Sequence, residues 1–199
     1  MKYPIGIQNF ESLRKDGYTY VDKTAMIHQL VVQGRYYFLS RPRRFGKSLL
    51  ISTLEAYFSG RRELFSGLAM EKLETAWTAS PVLHLDLNTD DYQRENVLAQ
   101  RLNLTLSQWE KRYGKEENEV TPSQRFEGVI RRAAEATGQR VVILVDEYDK
   151  PMLQTIENGT LQAAHRNLLK SFYGALKSQD QYIRFALLTG VTKFGKVSV

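Results

Sequence analysis

Four short apolar runs punctuate the chain, and each reads as a strand: Tyr36–Ser40 (YYFLS), Val82–Asn88 (VLHLDLN), Val141–Val145 (VVILV) and Ile183–Thr189 (IRFALLT). The third is continuous and rich in β-branched residues, the mark of a strand buried on both faces. Between the runs the apolar period lengthens to that of a helix. Lys47–Phe58 sets Leu50, Ile51, Leu54 and Phe58 on one stripe, which predicts an amphipathic helix. Asp91–Tyr113 predicts a longer, more polar one. The next helix has explicit ends: Thr121 as N-cap, Pro122 at the first helical position, Gln124 completing a capping box, and Gly138 as the stop. A last helix is expected near Leu161–Lys177, burying Leu168, Leu169, Phe172 and Leu176. Strands alternating with helices predict βαβ units and a parallel sheet covered on both faces.

Residues 1–34 differ in texture: a turn-rich start, then Tyr18–Val21, then a helix from Asp22 or Lys23. This segment is too short to be a domain and is expected to pack on the core formed by 35–199. The acidic stretch Lys115–Val120 (KEENEV) reads as a solvated loop. No run approaches 18 apolar residues, so no helix is expected to span a membrane.

Composition narrows the chemistry. The chain has 199 residues, 42% hydrophobic and 25% charged, the balance of an ordinary globular domain. It has no cysteine, which excludes disulfides, thiolate zinc sites and cysteine nucleophiles. His28, His84 and His165 lie far apart without metal-ligand spacing and read as structural. The default setting is a soluble protein of a reducing cytoplasm. The net charge of +6 is local: Arg35, Arg41, Arg43, Arg44, Lys47, Arg61 and Arg62 face only Glu55 between residues 35 and 62. That window accounts for the whole excess. Charge gathered around one loop points to an anionic ligand there, not to a coat for nucleic acid.

The loop at the centre of this window is Ser40-Arg41-Pro42-Arg43-Arg44-Phe45-Gly46-Lys47-Ser48. It follows a strand and opens a helix, the context of a phosphate-binding loop. Backbone N–H groups at a helix N-terminus point at phosphate, and the helix dipole favours negative charge. Gly46 permits close approach, Lys47 can reach the β- and γ-phosphates, and Ser48 can ligate Mg²⁺. Contacts to nucleotide are assigned to Arg43, Arg44, Phe45, Gly46, Lys47, Ser48 and Leu49. One departure stands out: Arg41 occupies the position of the first glycine in the general G-x-x-x-x-G-K-[ST] pattern. Val141–Val145 then runs into Asp146-Glu147, the second half of a nucleotide-hydrolysis pair. Asp146 would hold Mg²⁺, and Glu147 would orient and deprotonate the attacking water. Thr189, at the end of the fourth strand, either helps position that water or satisfies its own strand end.

Five motifs occur in order: YVDKT at 20–24, RPRRFGKS at 41–48, PVLHLD at 81–86, VDEYDKP at 145–151 and LTGVTKF at 188–194. Together they resemble the bacterial AAA-ATPase-like family over nearly the whole chain. Arg41 in place of glycine belongs to that family's pattern. The resemblance implies an α/β, P-loop NTPase-type three-layer sandwich with a mainly parallel sheet of order 5-1-4-3-2. It also implies ATP and Mg²⁺ as cofactors, Walker A at 41–48 and Walker B at 141–147. Members often carry a second domain resembling PD-(D/E)XK nucleases, so nucleic acid becomes a partner through a C-terminal domain outside this chain, and an oligomer fits as well.

Several residues keep two readings. Arg43 and Arg44 contact phosphates or form salt bridges on the loop's outer face. Asp149 joins the metal's water shell or, the favoured reading, pairs with an arginine. Tyr20, Asp22 and Lys23 contact adenine or, for Asp22, cap a helix. Trp77 and Trp109 read as core or surface aromatics. The leading function is an ATP-binding, slowly hydrolysing, Mg-dependent module with Lys47, Glu147 and Thr189 at the chemistry. The rival is a nucleotide-responsive module that binds nucleic acid or protein with little hydrolysis. A phosphotransferase would want an acceptor lid that the sequence does not show. Only ten residues follow Thr189, too few for a crossover helix and a fifth parallel strand. The core is therefore expected to lack its fifth strand and to leave one flank of Tyr36–Ser40 without a strand neighbour.

Overall fold

The computed structural model describes residues 2–192. Four strands, β1 (Tyr36–Ser40), β2 (Val82–Asp86), β3 (Val141–Asp146) and β4 (Ile183–Gly190), form one sheet in the order β1-β4-β3-β2. Every pairing is parallel. Among the described residues β1 and β2 are the edges, and no fifth strand lies beside β1. The stretch 193–199, which includes the end of the LTGVTKF motif, falls outside the described residues.

Alternation along the strands divides the molecule into three layers. Val142, Leu144, Phe185 and Leu187 face a core built on α3 (Lys47–Phe58). Leu83, Leu85, Ile143, Val145 and Leu188 face the opposite core, covered by α5 (Val97–Tyr113), α6 (Pro122–Thr137), the short α7 (Lys150–Gln154) and α8 (Gly159–Ser178). This is a P-loop NTPase-like sandwich. β3 is buried at every position, as its unbroken apolar run requires. Opposite Val141 and Val142, β4 places Ile183 and Phe185, so Arg184 is the extra residue of a bulge. It lies over the Phe58 ring and donates to Ser80 Oγ.

The N-terminal segment lies on the α3 side. α1 (Phe10–Lys15) buries Phe10 and Leu13, and the Phe10 N–H donates to Ser52 Oγ at 2.8 Å. Glu11 grips Arg61 through both carboxylate oxygens. α2 (Thr24–Gln33) packs against the short α4 (Ala69–Leu73). Lys23, not Asp22, is the N-cap of α2, and it makes no side-chain cap bond. Asp22, one residue before it, accepts from Thr24 N and Oγ1, and its other oxygen accepts from Ala69 N. Partial burial pushes the Asp22 carboxyl up, but these donors outweigh it and hold the group below its ordinary value. Tyr20 meets Phe10 edge-on at 5.2 Å.

Element bounds differ from the sequence pattern in instructive ways. The capping box at Thr121 and Gln124 is present, and Gly138 ends α6 with φ 63°. α5, by contrast, starts at Val97 and not at Asp91, because Asn96 takes a left-handed backbone with φ 64°. Asp90 and Arg101 pair across the segment that precedes it. β2 ends at Asp86, two residues early, and α8 begins at Gly159, two residues before the expected start. Leu168 is only partly buried. The stretch 115–120 is not simply solvated: Glu119 is 7% exposed and pairs with Arg132, while Glu116 meets Arg131. Trp109 stacks on Phe126, and Trp77 packs on Tyr57 and Phe65.

Candidate functional site

The loop between β1 and α3 lies at the C-terminal ends of the strands, where β1 and its sheet neighbour β4 are far apart in sequence. Open parallel sheets form their ligand crevices at such a place. Gly46, the residue before α3, has φ 76°, a left-handed conformation that glycine adopts without steric cost. A Cβ built there would meet nothing within 4 Å. Among the described residues no side chain caps α3, unlike α6 and α8, where Thr121 and Asn158 do so. The first-turn N–H groups and the positive end of the dipole are therefore open to an anion.

Lys47 is 5% exposed, and its ammonium group is committed on three sides. Nζ donates to Arg41 O at 3.0 Å and Pro42 O at 3.3 Å, and lies 3.1 Å from Glu147 Oε1. The loop is tied to the sheet at its start, where Arg41 N donates to Gly190 O. Ser48 lies one residue into the helix, and its hydroxyl makes no hydrogen bond among the described residues. Leu49 turns its side chain toward the α3 core, so only its backbone N–H can serve a ligand. Arg43, Arg44 and Phe45 are exposed, Phe45 at 69%. Neither arginine makes an ion pair among the described residues. Arg44 has a left-handed backbone with φ 66°.

Across from the loop, Asp146 is buried, and its Oδ1 accepts from Thr189 Oγ1 at 2.5 Å and from Glu147 N at 3.1 Å. Thr189, fully buried, also lies 3.4 Å from Val145 O. Of the two readings of Thr189, the strand-end one is seen here: its hydroxyl is satisfied on the Asp146 carboxylate. Glu147 follows with φ 53°. That conformation is held from the next two residues: Tyr148 N donates to Thr189 O, and Asp149 anchors the chain beyond.

Asp149 corrects an expectation. Among the described residues it pairs with no arginine. Fully buried, it accepts through Oδ2 from Val191 N, Thr192 N and Thr192 Oγ1 at 2.6–2.9 Å. Backbone amides of the turn after β4 thus replace the guanidinium. Its Oδ1 presses on Gly190, whose added Cβ would lie 2.6 Å away. The Asp149 bonds fasten the segment after β3 to the segment after β4. His84 sits in β2 with Nδ1 3.4 Å from Glu55 of α3. Burial alone would lower its imidazole, but Glu55, Asp86 and Asp146 outweigh burial and hold it above its ordinary value.

The donor set fits a nucleotide with a hard divalent cation: a buried ammonium, uncapped N–H groups, a free hydroxyl and a buried carboxylate. No group of three or more His, Asp or Glu side chains gathers as a metal cage among the described residues. That suits Mg²⁺, which keeps much of its water and takes one or two protein ligands plus phosphate.

The family model described as Predicted AAA-ATPase matches residues 4–199. The chain belongs to the AAA-ATPase-like family. A relative in Azotobacter chroococcum mcd 1, named "Uncharacterized protein in vnfD 5'region", is 41% identical over 203 aligned residues. The alignment takes in 100% of this chain and 39% of the relative, so the chain spans well under half that protein's length. No solved structure matches. AAA-ATPase-like membership supports nucleotide as the ligand class, and the loop at 41–48 leads into the uncapped end of α3 beside the buried Lys47 ammonium. No helix is long and apolar enough to cross a membrane among the described residues. The sequence pattern brought Lys47, Asp146, Glu147 and Thr189 forward, and the fold gathers them. It missed the Asp149 tie to the β4 turn, for which the only local signal was an acid two residues past the Asp-Glu pair.

Proposed function

We propose that this chain binds ATP with Mg²⁺ and hydrolyses it slowly. Lys47 and the N–H groups of Gly46–Leu49 receive the phosphates, with Arg43 and Arg44 free to approach from outside. Ser48 and Asp146 hold the cation, which neutralises charge on the phosphates. Glu147 accepts the proton of the attacking water, and Thr189 keeps Asp146 oriented. The observation that carries this reading is the Lys47–Glu147 contact at 3.1 Å beside the Thr189–Asp146 bond, in front of the uncapped end of α3. Such chemistry rests on positioning and electrostatics.

In this reading residues 1–34 brace the ATPase core 35–199, and the chain is the regulatory or motor part of a longer protein with a nuclease-like domain. The length of the relative in Azotobacter supports that longer architecture. A second reading, a nucleotide-responsive binding module with little turnover, is favoured by the same contact, because the candidate base is held by the lysine. ATP turnover by the purified chain, titrated with Mg²⁺ and with DNA, separates the two. Mg-dependent phosphate release supports the first. ATP binding without release supports the second.

A further inference from the structure

The C-terminal edge of the sheet carries a row of three polar side chains, Thr189, Asp146 and Asp86. Thr189 on β4 bonds Asp146 on β3. Asp146 in turn stands opposite Asp86 on β2 in the parallel register. Residues opposite one another in a sheet point to the same face. The face is fixed independently by what lies behind. Two residues earlier on β2, His84 meets Glu55 of α3, whereas Leu83, Leu85 and Leu87 enter the opposite core. Asp86 therefore projects on the α3 side, the side on which the loop at 41–48 begins its helix. Neighbouring strands lie about 4.8 Å apart, so Asp86 is one strand spacing from Asp146.

Its state differs from that of its neighbours. Asp146 and Thr189 are buried and bonded to each other, and Glu147 is drawn to Lys47. Asp86 is exposed. Its Oδ1 accepts from Asn88 N at 2.7 Å, which fixes the side chain in a turn just past the strand. Its second oxygen makes no hydrogen bond among the described residues. The row thus ends in a carboxylate that is held in place and has an oxygen to give.

Resting on the ATP-hydrolysing reading above, we propose that Asp86 holds the attacking water through that oxygen while Glu147 takes the water's proton. A water that donates one hydrogen to each of two acceptors has both O–H bonds directed, and its lone pair is then aimed. One acceptor leaves it free to rotate; orientation of this kind is where such catalysis gains its rate. In the step, the water oxygen forms a bond to the γ-phosphorus. The bond from that phosphorus to the β–γ bridging oxygen breaks, and ADP leaves with the electron pair. The proton passes to Glu147 and then to solvent.

The test uses the purified chain and its Asp86→Asn, Asp86→Glu and Glu147→Gln variants. Three quantities are read: affinity for a fluorescent ATP analogue, Mg-dependent phosphate release, and thermal melting. Asparagine keeps an oxygen for the Asn88 N–H, so the turn survives the change. Asp86→Asn is expected to bind and melt like the parent and to turn over about 10²-fold more slowly, the cost of a misplaced reactant. Asp86→Glu should recover part of the loss. Parental turnover in Asp86→Asn overturns the assignment, and so does a fall in melting temperature or ATP affinity that accounts for the lost rate. A parent that binds no ATP overturns the functional reading itself. A parent that binds without turnover leaves nucleotide binding standing and removes the role given to Asp86.

Discussion

Lys47 Nζ lies 3.1 Å from Glu147 Oε1, with the two side chains 4% and 14% exposed. The cation proposed to receive phosphate and the carboxylate proposed to receive a proton are thus each other's partners. In the proposed function a γ-phosphate would compete with Glu147 for the lysine, so that its arrival would both bind the nucleotide and release the base. The ion pair makes empty-site stability and ligand affinity opposing quantities.

Lys47→Ala should lose measurable ATP binding and also cost stability. The sequence suggests a loop lysine with little packing, but the fold buries it against two carbonyls and Glu147. Unpairing buried groups of this kind costs about 1–3 kcal/mol. Calorimetric titration with ATP and a melting curve check both effects; parental affinity would remove the phosphate-loop assignment.

Glu147→Gln should turn ATP over about 10²–10⁴-fold more slowly, the range for loss of a general base. Its affinity for ATP should equal or exceed the parent's, since the competing charge on Lys47 is gone. Binding and phosphate release measured on one preparation test the pair of effects. Weaker binding would contradict the competition described above.

Gly190→Ala should destabilise the protein without touching a phosphate contact. The new Cβ would lie 2.6 Å from Asp149 Oδ1 and 2.8 Å from Tyr148 Cδ1. Overpacking at such a site costs about 1–3 kcal/mol. Chemical denaturation should show a lower midpoint. An unchanged midpoint would mean that the turn after β4 yields freely.

The N-terminal brace should respond to acid. Arg61 and Lys15 hold the Glu11 carboxyl down at about 2, against an ordinary value of 4.5. A depressed carboxyl stabilises above its unfolded value and loses that contribution as pH falls through the folded one. The stability gap between the parent and Glu11→Gln should be full above pH 4.5 and close as pH approaches 2. Thermal melts across that range decide it; a gap independent of pH would exclude the ion pair as its source.

What could be read from the chain follows from how far each signal reaches. The capping box of α6 involves Thr121, Pro122, Gln124 and Gly138, all near their own helix ends, and the sequence pattern locates it correctly. Strand β3 announces itself because burial on both faces leaves an unbroken apolar run. Asp149 has no local signature for its true partners, since Val191 and Thr192 reach it only after β3 and β4 pair. The acids at Glu116 and Glu119 look solvated until α6 brings Arg131 and Arg132 alongside. The alignment of Asp86 with Asp146 exists only in the sheet register. In each case the missing information was a tertiary neighbour and not a residue type.

Glu147 keeps a left-handed backbone at φ 53°. For a residue with a Cβ this costs on the order of 1 kcal/mol relative to glycine, and asparagine also tolerates it better than glutamate. A library of all side chains at this position, sorted only for survival of heating, should fill with glycine and asparagine. The same library sorted for phosphate release should return glutamate. The distance between those two enrichments would measure how much foldedness the molecule forgoes, at one position, to keep an acid where it stands.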